Sequence, residues 1–197
     1  DGRLTLDTPV TASEHASRMG RSQIWLEPGE QFTLDEMIRA ICVSSANDAA
    51  VAVAELLGGS EQGFVQKMND RAARLGMEHT VFCNACGLDT EGHLSTARDV
   101  AVMSRTILTT CPEVLHYTGI WTDALRGGQT QLVNTNKLLR RYNGITGLKT
   151  GTTSGAGVCI SASASRDGLD LIAVVLGAPS SKDRFEAATA LLDYGFG

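Results

Sequence analysis

The sequence predicts an α/β (α+β) chain, with an antiparallel sheet flanked by helices and joined to an all-helical block. Three observations carry this. A stretch that opens on β-branched residues at Ile145 and runs through Lys149-Thr150-Gly151 is followed by Val158 to Ala164 and Leu169 to Gly177, two apolar runs joined by the turn Arg166-Asp167-Gly168. Between about Thr33 and Thr118, apolar residues recur at helical spacing instead. A last helical pattern, Phe185 to Tyr194, closes the chain behind Ser180-Ser181 and stops at Gly195. The 197 residues therefore read as one domain, with a helical part at about 33–118 and an α/β part drawn from 1–32 and 119–197.

In order, Leu4 to Ala12 alternates like a short strand, and Glu27-Pro28-Gly29-Glu30 is a turn. Thr33 and Glu36 make a capping box for a helix that carries Leu34, Met37, Ile38 and Ile41 to about Val43. Ser44-Ser45-Ala46-Asn47 interrupts it. The next helix, Asp48 to Leu57, is apolar nearly all round and must be buried. Ser60 caps a third helix that ends at Gly76, and Phe82 to His93 is a loop. Ser95 or Thr96 opens a fourth helix, Cys111-Pro112 a short fifth, and Gly127-Gly128 with Gln129 to Asn136 forms a polar connection into the sheet. Trp25 and Trp121 are assigned to packing.

A hydrophobic content of 43% with 20% charged residues is that of a folded globular chain. A net charge of −5 and no basic stripe give no case for nucleic acid. No apolar run is long enough to span a membrane. Opening on Asp1-Gly2-Arg3 without a signal peptide, the chain is expected to be a processed or excised piece. Five cysteines, an odd number, do not make a fully paired framework. Cys83-x-x-Cys86, with no second Cys or His pair, is weak for zinc and reads as thiols or one disulfide, while Cys42 and Cys159 read as small core residues. His15, His79 and His116 have no partners at metal-ligand spacing, so neither metal nor cofactor is expected.

Two polar clusters stand apart from this scaffold: Ser45-Ala46-Asn47 at a helix junction and Lys149-Thr150-Gly151 on a strand near a sheet edge. Alone, the first reads as a helix cap and the second as a solvated edge with a turn. In this order and context they match two of the three motifs of penicillin-binding proteins and serine β-lactamases. Further stretches resemble the low-molecular-mass D-alanyl-D-alanine carboxypeptidases: Ser44 to Ala50, Asn84 to Asp89, Gly92 to Asp99, Asn134-Thr135-Asn136-Lys137-Leu138-Leu139 and the ending Leu191 to Phe196. The resemblance covers essentially the whole chain and implies a β-lactamase/transpeptidase-like fold.

It also implies a function: removal of the terminal D-alanine from peptidoglycan stem peptides through an acyl-enzyme, with sensitivity to β-lactams and a place outside the cytoplasm, in the cell envelope. Ser45 would relay a proton to the leaving amine, Asn47 would hydrogen-bond a substrate carbonyl and orient the nucleophile's lysine, and Lys149 would supply positive potential. Thr150 and Arg184 would bind the substrate carboxylate, Gly151 would admit an extended peptide, and the Thr152 N–H would be half of an oxyanion hole. His93 and Asp89 read as loop-ordering residues. The family's nucleophile is the serine of Ser-x-x-Lys, and no serine in this chain has lysine three residues on. The nucleophile segment is thus expected upstream or in trans, and the chain alone is expected to be inactive. An apolar surface along Ile41 to Val53 is expected to be left open, favouring self-association. A non-catalytic peptidoglycan-binding module and a serine β-lactamase are the alternatives.

Overall fold

Thr33 starts the helical part as its spacing predicts. In the protein's structure, a computed structural model describing residues 4–197, the Thr33 side chain accepts from Glu36 N (3.2 Å) while Glu36 Oε2 accepts from Thr33 N (2.8 Å). Helix α1 (Glu14–Ser17) lies between strands β1 (Pro9–Thr11) and β2 (Gln31–Thr33), which pair antiparallel. The strand expected over Leu4 to Ala12 shrinks to these few residues, since only Val10 of β1 points into the core. Helix α2 (Leu34–Ser44) is closed by Ser45, and α3 (Asn47–Gly58) starts two residues after it. Ser60 and Thr96 cap α4 (Glu61–Arg74) and α5 (Ala97–Thr110) by accepting from Gly63 N and Asp99 N. The short α6 (Val114–Thr118) begins beyond the Cys111-Pro112 pair expected to open it.

The polar connection expected around Gly127-Gly128 is instead a hairpin, β3 (Thr122–Leu125) with β4 (Thr130–Val133). Both glycines have positive φ, as the reversal requires. The principal sheet is antiparallel, ordered β5 (Ile145–Thr153), β6 (Gly157–Arg166), β7 (Leu169–Ala178), so among the described residues β5 has a free edge. At the β6–β7 turn Asp167 and Gly168 both take left-handed φ. Ser180 caps α7 (Ser181–Phe196).

Two cores result. Val10, Ile24, Leu26 and Phe32 pack with Met37, Ala40 and Val43 of α2, with Ala49, Val51, Ala52 and Val53 of α3, and with Leu125 and Leu132 of the hairpin. The open apolar surface expected along Ile41 to Val53 is therefore absent: Val43, Ala46, Ala49, Val51 and Ala52 are covered by the chain's own 10–32 segment and the β3–β4 hairpin. In the second core, Ile160, Ala162, Ala164 and Ala173 of the sheet meet Phe185, Ala188 and Leu192 of α7. The alternate residues of β6 face the other way, where Ser161 Oγ meets Ser104 Oγ of α5 at 2.7 Å.

Candidate active site

Strand alternation sorts the residues of β5. Lys149 pairs across the ladder with Ser161 and shares its side of the sheet, facing the helices, while Thr150 pairs with Ile160 and shares the side of α7. Lys149 Nζ donates to Ser45 Oγ, across 104 residues of sequence, and to the Thr150 carbonyl (2.9 Å). Ser45 reaches that position because it ends α2 in the left-handed region (φ 60°, ψ 37°), an unfavourable conformation for a residue with a side chain. The structure thus brings Ser45 and Lys149 together from the two cores.

Burial pushes the Lys149 amine down from its ordinary 10.5 to about 8, and the nearby Arg184 adds to the depression. Arg184 itself is 5% exposed, and burial lowers its pKa too. Its Nη1 donates to Cys159 O (3.1 Å), with longer approaches to Gly151 O (3.4 Å) and Thr152 Oγ1 (3.5 Å), and its Nη2 to Ser181 Oγ (2.9 Å). The Arg184 Nε–H is buried without an acceptor. Among the described residues, neither Lys149 nor Arg184 has a carboxylate within ion-pair distance. Two cations on opposite faces of one edge strand, neither neutralised, form a field that favours an anion at that edge.

Asn47 stands at the head of α3, nearly buried. One of its amide protons goes to Gly20 O (2.9 Å), and its backbone N–H goes to Ser22 O (2.8 Å). Its Oδ1 and second amide proton are left for other partners. Next to it Asp48, fully buried, accepts from the N–H groups of Ile24, Leu26 and Ala49. Thr150 Oγ1 bonds Thr135 Oγ1 at 2.5 Å, so the exposed Thr135 hydroxyl belongs beside the site. Its flanking residues, Asn134 and Asn136, are buried and tie their loop to the Ile120 and Gly147 carbonyls. The available sequence signal for Thr135 was its place in the Asn134-Thr135-Asn136-Lys137-Leu138-Leu139 stretch that carries the family resemblance. Asp89, from the 82–93 loop, accepts from Gly155 N (3.0 Å) in the β5–β6 turn. The Thr153 hydroxyl and that N–H hold the Asp89 carboxyl below the usual carboxylate range. All five cysteines are free thiols.

The sequence profile described as D-alanyl-D-alanine carboxypeptidase, peptidase S11, matches residues 1–180. The chain belongs to this carboxypeptidase family. It is 44% identical over 198 residues to the D-alanyl-D-alanine carboxypeptidase DacF of Bacillus subtilis, an alignment covering 99% of this chain and 51% of that protein. To DacC of Escherichia coli it is 35% identical, with 98% and 48% covered. The crystal structure of penicillin binding protein 6B from Escherichia coli matches with a TM-score of 0.91 at 38% identity, over 98% of this chain and 63% of that one. DacD from Francisella tularensis gives 0.94 at 28% identity, over 100% and 60%. These likenesses bear out the transpeptidase-like α/β fold. The chain spans about half the length of the curated carboxypeptidases it matches.

Proposed function

We propose that the protein is a serine-type D-Ala-D-Ala carboxypeptidase that trims the terminal D-alanine from peptidoglycan stem peptides through an acyl-enzyme, and that penicillins acylate it. The observation that carries this reading is the hydrogen bond from Lys149 Nζ to Ser45 Oγ beneath the free edge of β5. With its oxygen accepting from an ammonium, Ser45 has its own O–H free to donate, and so serves as the proton relay to the departing D-alanine nitrogen. Lys149 holds positive charge beside that relay. Asn47 hydrogen-bonds the substrate amide, and the Thr152 N–H contributes to the oxyanion hole. The substrate lies extended along β5, where Gly151 adds no side chain, and its terminal carboxylate meets the Thr150 and Thr135 hydroxyls with Arg184 beneath.

The cleft lies between the helical part at about 33–118 and the sheet. The nucleophile, for which the chain offers no Ser-x-x-Lys, is assigned to sequence outside Asp1–Gly197. The substrate puts the site of action in the cell envelope, at the outer face of the cytoplasmic membrane or beyond it. No helix of the described residues is long and apolar enough to cross a membrane.

Covalent labelling tests the reading. The protein at its full natural length is expected to form an adduct with a fluorescent penicillin and to release D-alanine from a peptide ending in D-Ala-D-Ala, while Asp1–Gly197 alone is expected to form none. An adduct on the isolated chain would put the nucleophile among its own serines. A full-length protein that neither labels nor releases D-alanine would be a binding module.

A further inference from the structure

Residues 20–26 run beside Asn47 and are pinned from both sides. Gly20 O and Ser22 O accept from Asn47, and the buried Asp48 carboxylate takes the N–H groups of Ile24 and Leu26. From the other side Arg126 Nη1 donates to Ile24 O (2.8 Å) and its Nη2 to Trp25 O (3.3 Å), while Glu30 holds the guanidinium through Nε (2.8 Å) and Nη2 (2.7 Å). Between Ile24 and Leu26, 1% and 3% exposed, Trp25 is 69% exposed with φ at 55°. Left-handed backbone is strained for so bulky a residue and persists only where its surroundings over-determine it. The indole is oriented as well: with its amide turned to satisfy both neighbours, Gln23 donates to Met19 O (2.6 Å) and accepts from Trp25 Nε1 (3.1 Å).

A large ring held rigidly in water is the reverse of what its hydrophobicity favours, so the fold spends strain to display it. Of the exposed residues within four positions of it, Arg21, Ser22 and Glu27 are polar and Pro28 and Gly29 carry little apolar surface, whereas the anchor of a protein interface is ringed by residues that exclude water. A lone flat ring with a polar rim instead matches a pyranose, which has an apolar C–H face and a hydroxyl and amide periphery. The same segment accepts both hydrogen bonds from Asn47, through Gly20 O and Ser22 O, so the platform sits on the strip of chain that fixes Asn47. Peptidoglycan stem peptides hang from a chain of N-acetylated amino sugars.

We propose that Trp25 is a stacking platform for an N-acetylhexosamine ring of the glycan that carries the stem peptide, with the Gln23 amide at its rim. This rests on the carboxypeptidase reading. The test uses the full-length protein with two substrates: a pentapeptide ending in D-Ala-D-Ala, free or linked to its disaccharide. The wild type is expected to show a KM about tenfold lower for the linked form, and Trp25→Ala to erase the difference while Trp25→Phe keeps part of it. Equal KM values in the wild type, or a preference that survives in Trp25→Ala, would overturn the platform. If the wild type turns over neither substrate, the carboxypeptidase reading fails. Binding of an N-acetylglucosamine oligosaccharide, followed by calorimetry, then decides the platform: it is upheld if the wild type binds and Trp25→Ala does not, and overturned otherwise.

Discussion

Replacing Lys149 with alanine is expected to slow penicillin acylation of the full-length protein by about 10²–10³-fold, the cost typical of removing one preorganised group that stabilises developing charge. Thermal stability should not fall with it, because the ammonium is desolvated in the folded protein. The same desolvation predicts a pH dependence. Lys149 is an ammonium below about 8 and a neutral amine above, so the acylation rate should decline as pH rises through about 8. Stability moves the other way. The unfolded chain holds this proton more tightly than the folded one, so the cost of burying the charge recedes between about 8 and 10.5, and this group's contribution to stability rises across that window. Acylation rates and melting curves across the alkaline range check both; a rate that holds level well above pH 8 would remove Lys149 from the charged role.

Asp48→Ala is expected to destabilise the protein by about 3 kcal/mol, a fall in melting temperature of roughly 10 °C. The carboxylate is fully buried and satisfies three backbone N–H groups, two of them in the 20–26 segment. Alanine leaves all three without that acceptor. Asp48→Asn keeps the shape and one acceptor oxygen but turns a donor toward donors, so it should fall between alanine and the wild type. Differential scanning calorimetry measures the loss. Acylation should also slow in Asp48→Ala, since the segment it releases carries the Gly20 and Ser22 carbonyls that fix Asn47.

Local chemistry was legible in the sequence wherever a few neighbouring residues decide the outcome. Thr33 with Glu36 predicts the start of α2, and Arg166-Asp167-Gly168 predicts the β6–β7 turn. The β3–β4 hairpin was not legible, because four-residue strands with only Leu125 and Leu132 buried carry too little alternation. The cover over Ile41 to Val53 was missed because it comes from residues 10–32 and from Leu125 and Leu132, too distant for any periodicity to report. Ser45 and Lys149 were legible as candidates, but their hydrogen bond is a tertiary fact. Tryptophan usually packs, and nothing near Trp25 in sequence signals its exposure: Asp48 fixes the N–H groups of its neighbours Ile24 and Leu26, and Arg126 holds the Trp25 carbonyl, both from far along the chain.

The left-handed turn at Ser45 has a consequence for anyone who tries to make this protein more robust. Glycine would occupy φ 60°, ψ 37° without the steric conflict that serine carries, and Ser45→Gly could add up to about 1 kcal/mol to stability. It would also delete the only hydroxyl that Lys149 Nζ holds among the described residues, and the acceptor lost to that buried ammonium offsets part of the gain, so melting temperature should hold while acylation collapses. Selection for durability and selection for turnover therefore pull in opposite directions at this one position, and a stability screen run without an activity screen would choose the wrong residue.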